Sequence, residues 1–206
     1  MRTYLVLITA ALLVLAFPGC SSTPKVNRVS ADTQVDLSGR WNDTDVRKVC
    51  ESLIRDCLNS DSVANFIRQF SAQHGRPPTV IVGTFKNSSS EHIDTTIISK
   101  TMEIAIVNSG KLDFVAGGDT RAELRAERDD QQMNSREATA SSLANETGAN
   151  FMLTGEVNLI EDRAGNTSVR SYFVSAELTN IETNRRLWMG ENNEIKKVIK
   201  RPKAKL

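Results

Sequence analysis

The stretch from Thr79 to Val115 constrains this chain more than any other. Val80-Ile81-Val82-Gly83-Thr84-Phe85 is a short β-branched run, and Lys86-Asn87-Ser88-Ser89-Ser90 is a polar turn. Ile97, Ile98, Met102, Ala105 and Ile106 then recur at a helical period. Asp94 is placed to cap the first turn of that helix, and Asn108-Ser109-Gly110 to end the last. Leu112-Asp113-Phe114-Val115 reads as the next strand. Strand, helix and strand in so short a span make a βαβ unit, around which the flanking segments must pack.

Upstream, Asn42 is placed to cap a helix with Asp45 in its first turn. Val46, Val49, Cys50, Leu53, Ile54, Cys57 and Leu58 follow at the spacing of one apolar helix face, the cleanest such pattern in the chain. A second helix runs from about Ser62 to His74, with Val63, Phe66, Ile67 and Phe70 inward and Gly75 as its stop. Pro77-Pro78 forces an extended entry into the central strand. Downstream, Asp119 to Gln132 carries charges of alternating sign and predicts a solvent-facing helix, with a loop over Gln131 to Ser135 and a further helix from about Ser135 to Thr147. A three-strand meander follows. Phe151, Leu153, Val157 and Leu159 alternate with polar residues, as do Tyr172, Val174, Ala176 and Leu178, and Leu187-Trp188-Met189 closes the sheet. The expected fold class is α/β: a single-domain mixed sheet with a βαβ unit, flanking helices and a C-terminal antiparallel meander.

The front end reads as processing rather than fold. Arg2 is a positive start, and Leu5 to Phe17 is an apolar run too short to span a membrane, so residues 1–19 are the expected signal peptide. The run ends in Phe17-Pro18-Gly19-Cys20, which resembles a bacterial lipobox with Cys20 as the lipidated first residue. Ordinary cleavage beside an incidental cysteine is the plainer alternative. Lipidation would tie the chain to a membrane surface without a transmembrane helix. Residues 20–35 then form the lipidated N-terminus and a polar tether, 36–195 the globular domain and 196–206 a basic tail.

Charge is split along the chain. There are 26 basic and 25 acidic residues, and removal of Arg2 makes them equal. Lys196, Lys197, Lys200, Arg201, Lys203 and Lys205 stand in the tail without an acid, so the remaining body is negative by the same six charges. A body of that sign argues against nucleic acid as a partner. The tail is expected to be a solvated end, with attraction to anionic lipid or polymer as the alternative.

No constellation for catalysis is present. His74 and His92 fall at a helix end and in a loop, without partners at metal-ligand or nucleophile–base spacing. Ser88-Ser89-Ser90 lacks the glycines of a nucleophile elbow, and Gly117-Gly118 lacks the third glycine of a phosphate cradle. Cys50 and Cys57 lie seven apart on one apolar stripe, about 10 Å by the helical rise, and are expected as buried free thiols. No enzyme activity, metal or cofactor is expected. Phe173 sits on the opposite strand face from Tyr172 and Val174, and Trp188 from Leu187 and Met189. Both are core if helices cover both sheet faces, and both are candidate partner-binding residues if that face is open.

The sequence resembles the LpoB-type lipoprotein activators of penicillin-binding proteins, whose globular part shares a fold with the N-terminal domain of the translocation protein TolB. The resemblance runs from Asp36 to Glu194. Asp36-Leu37-Ser38-Gly39-Arg40-Trp41-Asn42-Asp43-Thr44-Asp45, Glu91-His92-Ile93-Asp94-Thr95, Gly148-Ala149-Asn150-Phe151-Met152-Leu153-Thr154-Gly155 and Leu187-Trp188-Met189-Gly190 carry it, with Val80 to Phe85 leading to Asn87 and Asn108 to Lys111. It implies a non-enzymatic regulator, lipid-anchored in the outer membrane and facing the periplasm, that binds a peptidoglycan synthase. The alternative is a structural or assembly lipoprotein of the same fold, such as a secretion-related subunit. One departure stands out. The tether from Ser21 to Val35 has 15 residues and the single proline Pro24, where the best-known members carry a long proline-rich one. Its full reach is about 50 Å.

Overall fold

The structure is a computed structural model that describes residues 24–31, 33–135 and 147–202. The signal peptide, Cys20 and nearly all of the helix expected from Ser135 to Thr147 lie outside the described residues. The chain divides into two units, Met1–Thr33 and Gln34–Leu206. In the first, the described residues are exposed, and the Thr33 amide donates to the Ser30 carbonyl at 3.0 Å. Among the described residues no helix is long and apolar enough to cross a membrane.

The second unit opens with helix α1, Asp43–Asn59, and its start is doubly capped. The Asn42 side chain accepts from the Asp45 amide at 3.1 Å, and the Asp45 carboxylate accepts from the Asn42 amide at 3.0 Å. All seven apolar positions of the stripe are buried. Each fully buried aliphatic side chain there is worth about 1.5–3 kcal/mol over exposure. Ser60 ends α1 and caps α2, Asp61–His74, which stops at Gly75 in the left-handed region.

The βαβ unit forms as the pattern requires. Strand β1 is Thr79–Asn87, helix α3 is Thr95–Ser109 and strand β2 is the short Asp113–Phe114, parallel to β1. Asp94 caps α3 by accepting from the Thr96 amide at 3.0 Å, and Gly110 ends it. Helix α4, Gly118–Asn134, buries no residue and, among the described residues, packs against no other helix or strand. Strands β3, Phe151–Ala164, β4, Thr167–Asn180, and β5, Arg186–Asn192, form the antiparallel meander. Strand β6, Lys196–Lys200, pairs with the first half of β4, beside β5 on the second half. The order is β2-β1-β3-β4-β5, with β1 parallel to both β2 and β3. The architecture is thus mixed α/β with four helices and six strands among the described residues.

Helices α1, α2 and α3 cover one sheet face, where Val80, Phe85, Phe151, Leu153, Val157 and the Tyr172-to-Leu178 alternation lie buried. Gly155 interrupts the apolar face of β3 because a Cβ there would run into the Phe85 ring.

Four expectations need correction. Residues 131–134 of the expected loop are the last turn of α4, held by polar pairs one turn apart, Gln131 to Glu127 at 2.8 Å and Asn134 to Asp130 at 2.7 Å, and Ser135 is its extended cap. The basic tail is not wholly a solvated end, since 196–200 are β6. Trp188 does not share a face with Phe173: it is buried on the helix-covered face, paired with buried Leu178, while Met189, paired with Glu177, is 60% exposed. On α3, Ile97 turns outward, leaving Ile98, Met102 and Ile106 as the buried line.

Candidate functional site

Two features distinguish the second unit: a buried polar clamp at its N-terminal edge and a sheet face that no described helix covers. The clamp grows from β4. Alternation from Tyr172 turns Arg170 inward, where a guanidinium must be matched by carboxylates. Its Nη1 lies 3.1 Å from Glu91 Oε1 and its Nε lies 3.1 Å from Glu161 Oε1. The other oxygen of Glu91 accepts from the Tyr172 hydroxyl at 2.9 Å and the Trp41 amide at 3.2 Å, and the Trp41 ring tilts over Tyr172 at 5.2 Å. Burial, then the bond to Glu91, pushes the Tyr172 phenol well above its ordinary range.

Lys197 completes the clamp from β6. Its ammonium lies 2.6 Å from Asp45 and 2.8 Å from Asp36, and donates to the Arg40 carbonyl at 2.8 Å. Hydrogen bonds from Lys197 and then Gln34 hold the Asp36 carboxyl down at about 2. Gly39, with φ +67°, lies against the Ile199 side chain, where a Cβ would not fit. Gln34, expected in the tether, already bonds to Asp36 and to Lys48. These contacts fix where the globular body begins.

On the uncovered face, β3 and β4 place Phe173 opposite Asn158, Ile160 opposite Ser171 and Asp162 opposite Val169. β6 adds Lys196 beside Ser171 and Val198 beside Val169. Phe173 is half-buried and Ile160 is 62% exposed, so an apolar corner with a lysine border faces outward. At the other end Met152, Met189, Thr154, Glu177 and Arg186 line a shallow depression of about 500 Å³. The two candidate partner-binding residues are therefore on opposite faces. Trp188 points into the helix layer, and its indole N–H donates to Asp56 at 2.9 Å; Phe173 alone belongs to the outward face.

Cys50 and Cys57 are free and buried, and burial pushes both thiols up to about 12. His74 stacks on Phe70 at 4.0 Å. Among the described residues no three potential ligands group as a metal site.

Sequence reasoning missed Glu91, Arg170, Lys197 and Asp36. Arg170 carried a usable signal, an inward position on an alternating strand; the others are joined only by the fold.

Fold and surfaces together define a small mixed-sheet domain with one helix-covered face and one presented outward. The chain belongs to the family described as the peptidoglycan-synthase activator LpoB, whose model matches residues 45–194. The role of that family is regulation rather than catalysis. No curated protein matches the sequence at a significant level. Among solved structures it is similar to the LpoB C-terminal domain from Escherichia coli, at 16% identity and TM-score 0.44, covering 71% of this chain and 96% of that one. It is similar also to the LpoB C-terminal domain from Salmonella enterica, at 14% identity and TM-score 0.43, over 76% and 99% of the two chains. The lipoprotein GNA1162 from Neisseria meningitidis matches at 16% identity and TM-score 0.37, over 60% and 84%. The family match, not these superpositions, carries the assignment.

Proposed function

We propose that this chain is a non-enzymatic cell-envelope adaptor, anchored through a lipid on Cys20 to the outer membrane and facing the periplasm, that binds and regulates a peptidoglycan synthase of the penicillin-binding-protein class. The observation that supports this reading is the match of residues 45–194 to the synthase-activator family. The uncovered sheet face supplies a surface of the right kind, an apolar corner around Phe173 with charges at its border.

The test combines the full chain, purified in detergent, with penicillin-binding synthases from the same organism, and measures binding and glycan polymerisation together. Binding with a raised polymerisation rate is expected. A folded chain that neither binds nor stimulates any of them ends the proposal. Cys20→Ala, expressed in cells, is expected to leave the membrane fraction or to accumulate as precursor. A mature variant that stays with the membrane after a salt wash excludes Cys20 as the sole anchor.

A further inference from the structure

We propose that the outer edge of β6 is a docking site for an extended acidic segment of a partner protein, which adds to the sheet as another strand. The inference goes beyond the synthase reading and does not rest on it. The first observation is the direction of the backbone groups. The Tyr172 amide donates to the Ile195 carbonyl at 2.9 Å, and the Arg201 amide donates to the Asn166 carbonyl at 2.8 Å. Between them the register runs unbroken, 196–200 against 171–167. In an antiparallel ladder hydrogen-bonded pairs alternate with non-bonded ones. The bonded positions are thus 195, 197, 199 and 201, and the amides and carbonyls of Lys196, Val198 and Lys200 point away from β4. Among the described residues no backbone bond reaches those groups, and β4 is the one strand paired with β6; Asp36, Gly39, Arg40 and Asp45 meet it through Lys197 and Ile199, on the helix-covered face rather than at the outer edge.

The second observation is what stands beside that edge. Val198 is 60% exposed and lies next to half-buried Val169 on the outward face, one row from Ile160. That is an apolar floor for alternate side chains of an added strand. Lys196 and Lys200 flank it on the same side and are exposed, and Arg201 follows.

Charge selects the occupant. If two copies paired edge to edge about Val198, Lys196 of one would face Lys200 of the other, and like charges directly opposite are destabilising. Lysines on an edge strand guard against self-pairing for this reason. The same two ammonium groups attract a strand with acids at alternate positions. A second copy is disfavoured by the feature that favours an acidic partner.

The probe is a short fluorescent peptide alternating glutamate and valine, titrated to about a millimolar against the full chain in detergent. Saturable binding is expected, together with slowed hydrogen exchange at the Lys196, Val198 and Lys200 amides. The double variant Lys196→Glu/Lys200→Glu is expected to weaken it by about tenfold, the effect of two adverse cross-strand charge pairs, and to gain affinity for the lysine–valine peptide. Val198→Pro removes an outward N–H that β4 does not use and is expected to abolish both. Its thermal midpoint is checked first, and if it unfolds, amide protection in the unaltered chain decides. No binding overturns the proposal. Binding without amide protection also overturns it, because it shows charge attraction with no strand added.

Discussion

The Lys197 ammonium lies 2.6 Å from the Asp45 carboxylate and joins the last strand to the cap of the first helix, across most of the chain. Both side chains are withdrawn from water, at 10% and 5% exposure, and Asp45 also serves the α1 capping box. The pair welds the entry and exit of the globular unit together. A buried pair of this kind is sensitive to loss of one partner, because the other is left charged in a poor solvent.

Lys197→Met keeps the aliphatic stem and removes the charge. It is expected to destabilise the fold by about 3 kcal/mol, the lower end for breaking a buried pair. Urea unfolding of this variant beside Lys196→Met, whose side chain is exposed, makes the comparison. Equal midpoints would show that the clamp contributes nothing.

The buried thiols predict a stability loss in base. In the fold Cys50 and Cys57 are pushed from 9.0 up to about 12, so they hold their protons where the unfolded chain releases them. Their contribution is complete below about pH 9 and is lost as pH rises toward 12. Tyr172, also raised, acts in the same direction at higher pH. Thermal midpoints are expected to fall over this window, and to fall less in Cys50→Ala/Cys57→Ala. A thiol reagent without denaturant is expected to label neither cysteine; rapid labelling of either contradicts their burial.

How legible the fold was depended on where the information lies. Helix α1 could be read whole, because Asn42, Asp45 and the apolar stripe are local to it. The βαβ unit and the meander were legible for the same reason: turn residues and alternation sit within each element. The facing of β5 was not, since Leu187, Trp188 and Met189 are all apolar and alternation cannot choose between them. Pairing with Leu178 makes the choice. β6 was hidden more deeply, because Lys-Lys-Val-Ile-Lys reads as a solvated end until Asp36 and Asp45 come to Lys197 from the far end of the chain. Phe173 was recognised as facing away from Tyr172, but its company of Ile160, Val169 and Val198 came only with the register.

Gly155 shows what a close approach requires. A Cβ there would meet the Phe85 ring and the Ser175 carbonyl, one of them backbone and unable to yield. Gly155→Ala is expected to cost about 1–3 kcal/mol, as overpacking in a close-packed core does. Gly148→Ala, with nothing near its Cβ, is the control. Equal unfolding midpoints for the two variants would remove the steric argument.

Phe173 and Trp188 make the sharpest contrast for function, because the sequence presents them alike and the fold separates them. Trp188 is buried under α1 with its indole bonded to Asp56, so Trp188→Ala is expected to lose about 3–5 kcal/mol of stability. Any loss of partner binding in that variant would follow from unfolding. Phe173 lies half-buried on the outward face, and Phe173→Ala is expected to leave the unfolding midpoint close to that of the unaltered chain. If this face meets the synthase, an aromatic anchor at its centre is worth at least about 1.4 kcal/mol, or tenfold in affinity. The measurement is synthase binding by the full chain at matched folded fraction, with Ile97→Ala as a control on the opposite, helix-covered side. Reduced binding for Phe173→Ala alone assigns the contact to the outward face. Undiminished binding by a folded Phe173→Ala removes that residue from the interface and leaves the proposed activator without its anchor there.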